Sequence, residues 1–135
     1  MQDAADIERL LGACGLPAAD LVPHLSNFLL AKAGADLAGV IGLEPAGQCG
    51  LLRSLAVAPE FRNRGIAGAL HARMEKHAAE QGIRSLYLLT TTAEPFFAAS
   101  GFARVGRDTV PEAIRSTREF SSLCPESAVV MVKPL

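Results

Sequence analysis

The segment that decides the fold is residues 55–68, which read LAVAPEFRNRGIAG. Its first part is an apolar run that stops at Pro59, as a β-strand does. A basic turn follows, and then Ile66, Leu70 and Met74 recur every four residues, which is close to the period of a helix. The segment therefore predicts a strand, a tight turn and a helix in direct succession.

The neighbouring segments extend this unit into a pair of parallel strands. We predict a strand over residues 51–58, a helix over 64–81 that ends at Gly82, and a strong strand over 85–90. Short strands joined by a helix of this length form a parallel pair with a right-handed crossover. The centre of the chain is thus predicted to be a βαβ unit.

The remaining segments predict elements on both sides of that unit. Ile7, Leu10 and Leu11 lie on one helical face and predict a helix over residues 3–14. A hairpin is predicted over 27–33 and 37–44. The shorter predictions are a second helix after Pro17, a turn over 45–48, a helix over 93–100, a strand over 102–106, a helical turn over 111–116 and a closing strand over 127–132. We expect residues 1–135 to form a single α+β domain with a mixed, mainly antiparallel sheet.

Composition excludes several classes of protein. The 13 Lys and Arg residues face 14 Asp and Glu residues, so the chain lacks the basic surplus of a protein that binds nucleic acid through bulk charge. Half of the residues are hydrophobic, which excludes a disordered chain. The acidic start lacks the pattern of a signal peptide, and no apolar run reaches the length of a membrane span. The three cysteines, an odd number without CxxC spacing, predict neither a disulfide framework nor a zinc site. We expect no metal, no membrane partner and a cytoplasmic location.

The basic turn before the central helix has the properties of a phosphate cradle. The N–H groups at a helix start lack intrahelical partners and favour an anion. Gly65, Ala67 and Gly68 let an anion approach the backbone, and Arg62 and Arg64 add positive charge at its rim. The Walker A and dinucleotide-binding motifs are both absent. The alternative interpretation is an ordinary basic turn before an amphipathic helix.

The surrounding motifs favour the cradle, because they resemble those of the GNAT N-acetyltransferase superfamily. Arg62-x-x-Gly65-x-Ala67 matches the acetyl-CoA signature R/Q-x-x-G-x-G/A. Residues 96–102, FFAASGF, resemble the superfamily's helix-to-strand element F-Y-x-x-x-G-F. Residues 89–93, LTTTA, followed by Phe96-Phe97 and Gly101-Phe102, look like the acetyltransferase domain of amino-acid N-acetyltransferases. The segments LLRSLAV (51–57) and AIRSTREF (113–120) look still more like the single-domain arsenic-resistance N-acetyltransferases.

Two features depart from the superfamily pattern. The first helix begins almost at Met1, so the usual opening strand is expected to be missing or supplied otherwise. Since an uncovered sheet edge is a pairing liability, we expect a homodimer. The tyrosine often used as general acid is replaced by Phe97, whose ring cannot donate a proton.

The resemblance implies a direct attack of a small amine on acetyl-CoA, bound where the strand ending at Val57 splays from the strand ending near Thr90. Backbone N–H groups of Leu55 and Val57 would polarise the thioester carbonyl, and Glu44 is the candidate base, against the alternative of a solvated carboxylate. The implied acetyl-CoA contacts are Leu55, Ala56, Val57, Arg62, Asn63, Arg64, Gly65, Ile66, Ala67, Gly68, Ala69 and Phe97.

Substrate contacts are predicted from residue types and strand positions. Arg53 lies among apolar neighbours and should pair with a substrate carboxylate or an internal Glu, with Ser54 on the opposite face of its strand. The other candidates are Thr90, Thr91, Arg115 and Arg118. An arginine that clamps a carboxylate would select an amino acid or an arsenical or phosphinate analogue. Two alternatives stay open: acetylation of a protein or peptide, and a catalytically silent acetyl-CoA-binding module.

Overall fold

The computed structural model describes residues 2–16, 18, 22–91, 93–117, 120 and 128–135. Within these residues it contains six strands and four α-helices. The α-helices are α1 (Gln2–Ala13), α2 (Ile66–Glu80), α3 (Glu94–Ala99) and α4 (Glu112–Arg115). The strands are β1 (Phe28–Ala33), β2 (Asp36–Ala46), β3 (Cys49–Val57), β4 (Ser85–Thr90), β5 (Ala103–Val105) and β6 (Val129–Pro134). Short 3-10 helices cover Val22–Asn27, Pro59–Phe61 and Arg107–Thr109.

The strands form one sheet in the order β1-β2-β3-β4-β6-β5. The pair β1–β2 and the pairs that β6 makes with β4 and β5 are antiparallel, whereas β3 and β4 run parallel. The parallel register joins Cys49 to Ser85 and Leu51 to Tyr87. The predicted mixed α+β sheet with a parallel βαβ unit is therefore confirmed, and within the described chain α1 and a 3-10 helix precede the first strand.

Most element bounds agree with the sequence pattern, and one turn does not. We predicted a turn over residues 45–48, but β2 continues through Pro45 and Ala46, and the turn is confined to Gly47 and Gln48. Proline fixes φ near −65° and lacks an N–H, which is compatible with the end of an extended strand. Residues 17 and 19–21 of the second predicted helix lie outside the described residues, and from Val22 onward the structure has a 3-10 helix. No helix of the described chain is long and apolar enough to cross a membrane.

The chain divides into two compact units, and neither is one continuous stretch. The first contains Met1–Glu44 and Arg53–His77, and the second contains Pro45–Leu52 and Ala78–Leu135. In the first unit α1 buries Ile7, Leu10 and Leu11 in one cluster with Phe28 and Val40. This confirms the predicted apolar face of α1.

A close ring contact fixes the β1–β2 pair in the first unit. Phe28 lies opposite Gly42 in the antiparallel register. A Cβ atom on Gly42 would stand 2.5 Å from two carbons of the Phe28 ring. The absence of a side chain at Gly42 is thus what allows the Phe28 ring to lie across β2.

The core of the second unit joins the sheet to the last helix. Ile114 of α4 is buried with Leu51, Val110 and Val130. At the end of α3, the Lys133 ammonium group donates a hydrogen bond of 2.8 Å to the Ser100 carbonyl. A cation at this position donates a hydrogen bond to a carbonyl at the helix C-terminus, and the negative end of the helix dipole stabilises it.

Tyr87 packs half-buried against the core of the second unit, and this raises the pKa of its phenol above the usual value of about 10. Burial is the main cause, and the electrostatic effect of the neighbouring Cys49 adds to it. A raised pKa means that folding favours the neutral phenol. The resulting stability is complete below pH 10 and is lost as the pH rises through the folded-state value.

We expect the phenol of Tyr87 to titrate at a higher pH in the folded protein than in the unfolded protein. The chain has one Tyr and no Trp, so phenolate absorbance reports this group without background. The midpoint should lie above 10 in the folded state and return to about 10 in strong denaturant. Replacing Cys49 by Ser should lower the folded midpoint part of the way. Equal midpoints in the folded and unfolded states would contradict the burial effect.

Candidate functional site

The turn between β3 and α2 contains two residues with a positive φ. Asn63 and Gly65 both have positive φ, 65° and 79°, which turns the chain sharply into the helix. The first intrahelical hydrogen bond here runs from the Ala69 N–H to the Gly65 carbonyl, at 3.0 Å. The N–H groups of residues 66–68 therefore precede the regular ladder of the helix.

The space around this turn fits an anionic group. A Cβ atom on Gly65 or on Gly68 would meet no atom of the described chain within 4 Å. Gly68 and Ala69 are exposed, while Ile66 and Ala67 are half-buried. This side of the helix start is therefore uncovered, as it is at the helix starts that bind anions.

The two arginines of the turn have different contacts. The Arg62 guanidinium donates from Nε to the Val57 carbonyl, at 3.0 Å, and its Nη2 lies 3.6 Å from the Cys14 sulfur. The Arg64 guanidinium lies 5.4 Å from the centre of the Phe61 ring. Both side chains are exposed, so both add positive charge to this surface. Arg62 also ties the turn to the end of β3, and its contact with Cys14 was not predictable from residue spacing.

The end of β3 carries the residues predicted to contact the thioester. Ala56 is buried in the core of the first unit, while Leu55 and Val57 are half-buried. The side chains of this stretch are thus largely core residues, and its backbone is held after β3 by a 2.8 Å bond from the Ala58 N–H to the Ala38 carbonyl.

Directly before residues 55–57, in the first unit, the buried side chains of Arg53 and Ser54 lie close to the buried carboxylate of Glu44. Arg53 is 3% exposed, and its Nη1 lies 3.6 Å from Oε1 of Glu44, which is 7% exposed. The Nε of Arg53 donates a hydrogen bond of 3.2 Å to the Ser54 hydroxyl. Arg53 therefore has the internal Glu partner that was one of its two predicted partners. The alternative interpretation of Glu44 as a solvated carboxylate is wrong, because Glu44 is buried.

The prediction that Ser54 and Arg53 point to opposite faces of β3 is also wrong. Ser54 has a φ of 59°, in the left-handed region, which interrupts the alternation of side chains along the strand. Its hydroxyl consequently turns back to Arg53. A non-glycine residue in this region costs about 1–2 kcal/mol, and such residues cluster at functional sites.

The remaining predicted residues that the structure describes belong to the second unit. The Thr90 hydroxyl accepts a 2.9 Å hydrogen bond from the Ala93 N–H, and Thr91 is exposed. Phe97 is 6% exposed and packs edge-on against Phe96 and Phe102. Arg115 is exposed and pairs with Glu112 at 3.0 Å. Arg118 lies outside the described residues. Among the described side chains there is no cluster of His, Cys, Asp and Glu that would hold a metal ion.

The open helix start directly follows β3, a strand that pairs in parallel with β4. The model of the acetyltransferase (GNAT) family matches residues 6–106. The chain therefore belongs to this family, and the resemblance deduced from Arg62-x-x-Gly65-x-Ala67 is confirmed.

Several of the similar proteins are named amino-acid acetyltransferases. That of Ectopseudomonas mendocina is 38% identical over 72 residues, which cover 53% of this chain and 17% of the relative. An uncharacterized N-acetyltransferase of Chlorobaculum tepidum is 27% identical over 121 residues, 86% of this chain and 76% of the relative. The chain thus spans about a fifth of the length of the amino-acid acetyltransferases it matches.

Solved structures of other proteins have the same fold. N-acetylglutamate synthase of Neisseria gonorrhoeae, complexed with coenzyme A and N-acetyl-glutamate, superposes with a TM-score of 0.82 at 26% identity and covers 100% of this chain and 32% of that chain. A Mycobacterium tuberculosis protein in complex with CoA and NLQ gives a TM-score of 0.83 at 22% identity over 99% of this chain and 95% of that chain. The second likeness supports the fold alone.

Proposed function

We propose that the protein is an acetyl-CoA-dependent N-acetyltransferase that acts on the amino group of a small amino acid or an amino-acid analogue. The observation that carries the proposal is the open helix start at Gly65–Ala69 in a chain of the GNAT family. The relatives named amino-acid acetyltransferase and the synthase complexed with coenzyme A and N-acetyl-glutamate support an amino-acid substrate. Arsenical and phosphinate amino acids belong to the same proposed substrate class.

The helix start is proposed to hold acetyl-CoA, which supplies an acetyl group activated as a thioester. N–H groups of residues 66–68 would bind the pyrophosphate, with Arg62 and Arg64 contributing charge. The backbone of Leu55 to Val57 would donate hydrogen bonds at the acetyl carbonyl. Loss of one oxyanion donor of this kind typically costs about 10²–10³ in rate.

Proton transfers make modest demands on the side chains. An α-amine has a pKa of about 8, so part of the substrate is neutral and nucleophilic at pH 7. The departing thiol has a pKa of about 8.5 and leaves without a strong acid. A buried phenyl ring at Phe97 is therefore compatible with catalysis. The base role is one of two roles open to the buried carboxylate of Glu44, and the substrate contacts of Thr90, Thr91, Arg115 and Arg118 stay predictions.

The proposal extends to the domain organisation, the oligomeric state and the cellular location of the enzyme. We propose that residues 1–135 act as one catalytic domain and that the protein is a cytoplasmic homodimer. The terminal position of β1 in the sheet supports pairing with a second copy, because a strand at a sheet edge presents unpaired backbone groups. The odd number of cysteines supports a reducing compartment.

Release of coenzyme A from acetyl-CoA tests the proposed function directly. We expect release with at least one free amino acid in a panel that also contains phosphinate and arsenical analogues, peptides and amidated amino acids. The acetylated product is identified by mass. Activity with peptides alone would transfer the assignment to a peptide N-acetyltransferase. Tight acetyl-CoA binding without turnover on any amine would identify a silent binding module.

A further inference from the structure

The last residues of β3 lie between two arginine contacts. Before them, Arg53 donates to the hydroxyl of Ser54, the residue whose φ of 59° breaks the strand alternation. After them, Arg62 donates to the carbonyl of Val57. Leu55 to Val57 are therefore fixed at both ends by guanidinium groups.

The Glu44 carboxylate forms an ion pair with Arg53. Arg53 is almost fully buried, and a buried guanidinium requires a counter-charge. Oε1 of Glu44 lies 3.6 Å from its Nη1 on the adjacent strand β2. The Glu44 carboxylate thus holds Arg53 in the orientation that directs its Nε at the Ser54 hydroxyl.

We propose that Glu44, acting through Arg53 and Ser54, positions the backbone N–H groups of Leu55 to Val57, and that it is a positioning residue and not the general base. The inference rests on the proposed function, in which those N–H groups face the acetyl carbonyl. A positive φ in a strand redirects the peptide groups that follow it, as bulges do next to active sites. Oxyanion donors act only within about 0.5 Å of their productive position, so a loss of this control slows the reaction.

A general base would need a different geometry. It must reach the amine proton within hydrogen-bond distance or through one water molecule. Glu44 is 7% exposed and faces the Arg53 guanidinium. That placement orients an arginine, and it accounts for the otherwise costly conformation of Ser54.

The test compares Glu44→Gln and Arg53→Lys with Glu60→Gln, a control that removes an exposed carboxylate. We expect both test variants to lower kcat by ten- to a hundredfold, with the KM for acetyl-CoA within about threefold. The values of kcat/KM should be lower at every pH, while both limbs of the pH profile keep their midpoints. The double variant should be no slower than the slower single variant, because both residues act on one feature. The control should match the wild type.

Amide hydrogen exchange gives a readout that does not require turnover. Exchange at Ala58, whose N–H is bonded to the Ala38 carbonyl directly after these residues, should become at least tenfold faster in both variants and stay unchanged at Leu86 and Leu88 of β4. Unchanged exchange at Ala58 overturns the proposal. Loss of one limb of the pH profile in Glu44→Gln alone, with Arg53→Lys fully active, also overturns it, because that result identifies Glu44 as the base. A wild-type protein without turnover would refute the proposed function, while the exchange experiment would still decide the role of Glu44.

Discussion

Replacing Gly65 by Val is expected to abolish coenzyme A binding at concentrations that saturate the wild type. The φ of 79° at Gly65 is unfavourable for a β-branched residue, and the added side chain would fill the space open to a pyrophosphate. Loss of two charge-assisted hydrogen bonds costs about 3–6 kcal/mol, which corresponds to at least a hundredfold in affinity. Calorimetric titration with coenzyme A measures the effect.

Gly82 provides a matched control for this variant. It also has a positive φ, 83°, and a Cβ atom there would meet nothing within 4 Å in the described chain. Gly82 follows the C-terminal end of α2, where the helix dipole is negative and no anion is favoured. Gly82→Val should therefore introduce similar strain and leave the affinity for coenzyme A unchanged. Wild-type affinity in Gly65→Val would refute the cradle.

Removing the Glu44 carboxylate is expected to cause a large loss of stability. Truncation of one partner of a buried ion pair costs about 3–5 kcal/mol, because the other charge stays buried without it. Glu44→Ala should lower the free energy of unfolding in urea by this amount, while Glu60→Ala, at an exposed site, should change it by less than about 0.5 kcal/mol.

The double variant Glu44→Leu with Arg53→Met separates stability from positioning. Replacing a buried ion pair by apolar residues of similar volume is often neutral or stabilising, so most of the lost stability should return. The kcat should nevertheless remain low, since no guanidinium group contacts Ser54. A double variant that regains both stability and full kcat would contradict the positioning role, and a small effect of Glu44→Ala would contradict the buried pair.

Elements with a strong local pattern could be predicted from the sequence. The apolar face of α1 and the strand over residues 85–90 follow from side-chain periodicity alone. The turn before α2 was predictable because Gly65 and Gly68 leave the backbone uncovered. These features depend on neighbours close in the chain.

The features that escaped prediction depend on contacts between distant residues. Serine has no sequence signal for a positive φ, so the conformation of Ser54 followed only from the structure. The burial of Glu44 depends on the pairing of β2 with β3, which places it beside Arg53. Arg62 was expected at the rim of the cradle, but its Nε contact with the Val57 carbonyl was not predictable from spacing.

The positive φ of Ser54 also has a consequence for how the sheet assembles during folding. Side chains alternate between the two faces of β3, and this alternation is interrupted at Ser54, so odd-numbered residues before and after it lie on different faces. If β3 slid by one residue against a neighbouring strand, the irregular position would meet a regular partner and both apolar sets would be misplaced. Irregularities of this kind restrict strand pairing to a single register. We therefore expect Ser54 to disfavour slipped pairings of β3 while the sheet forms.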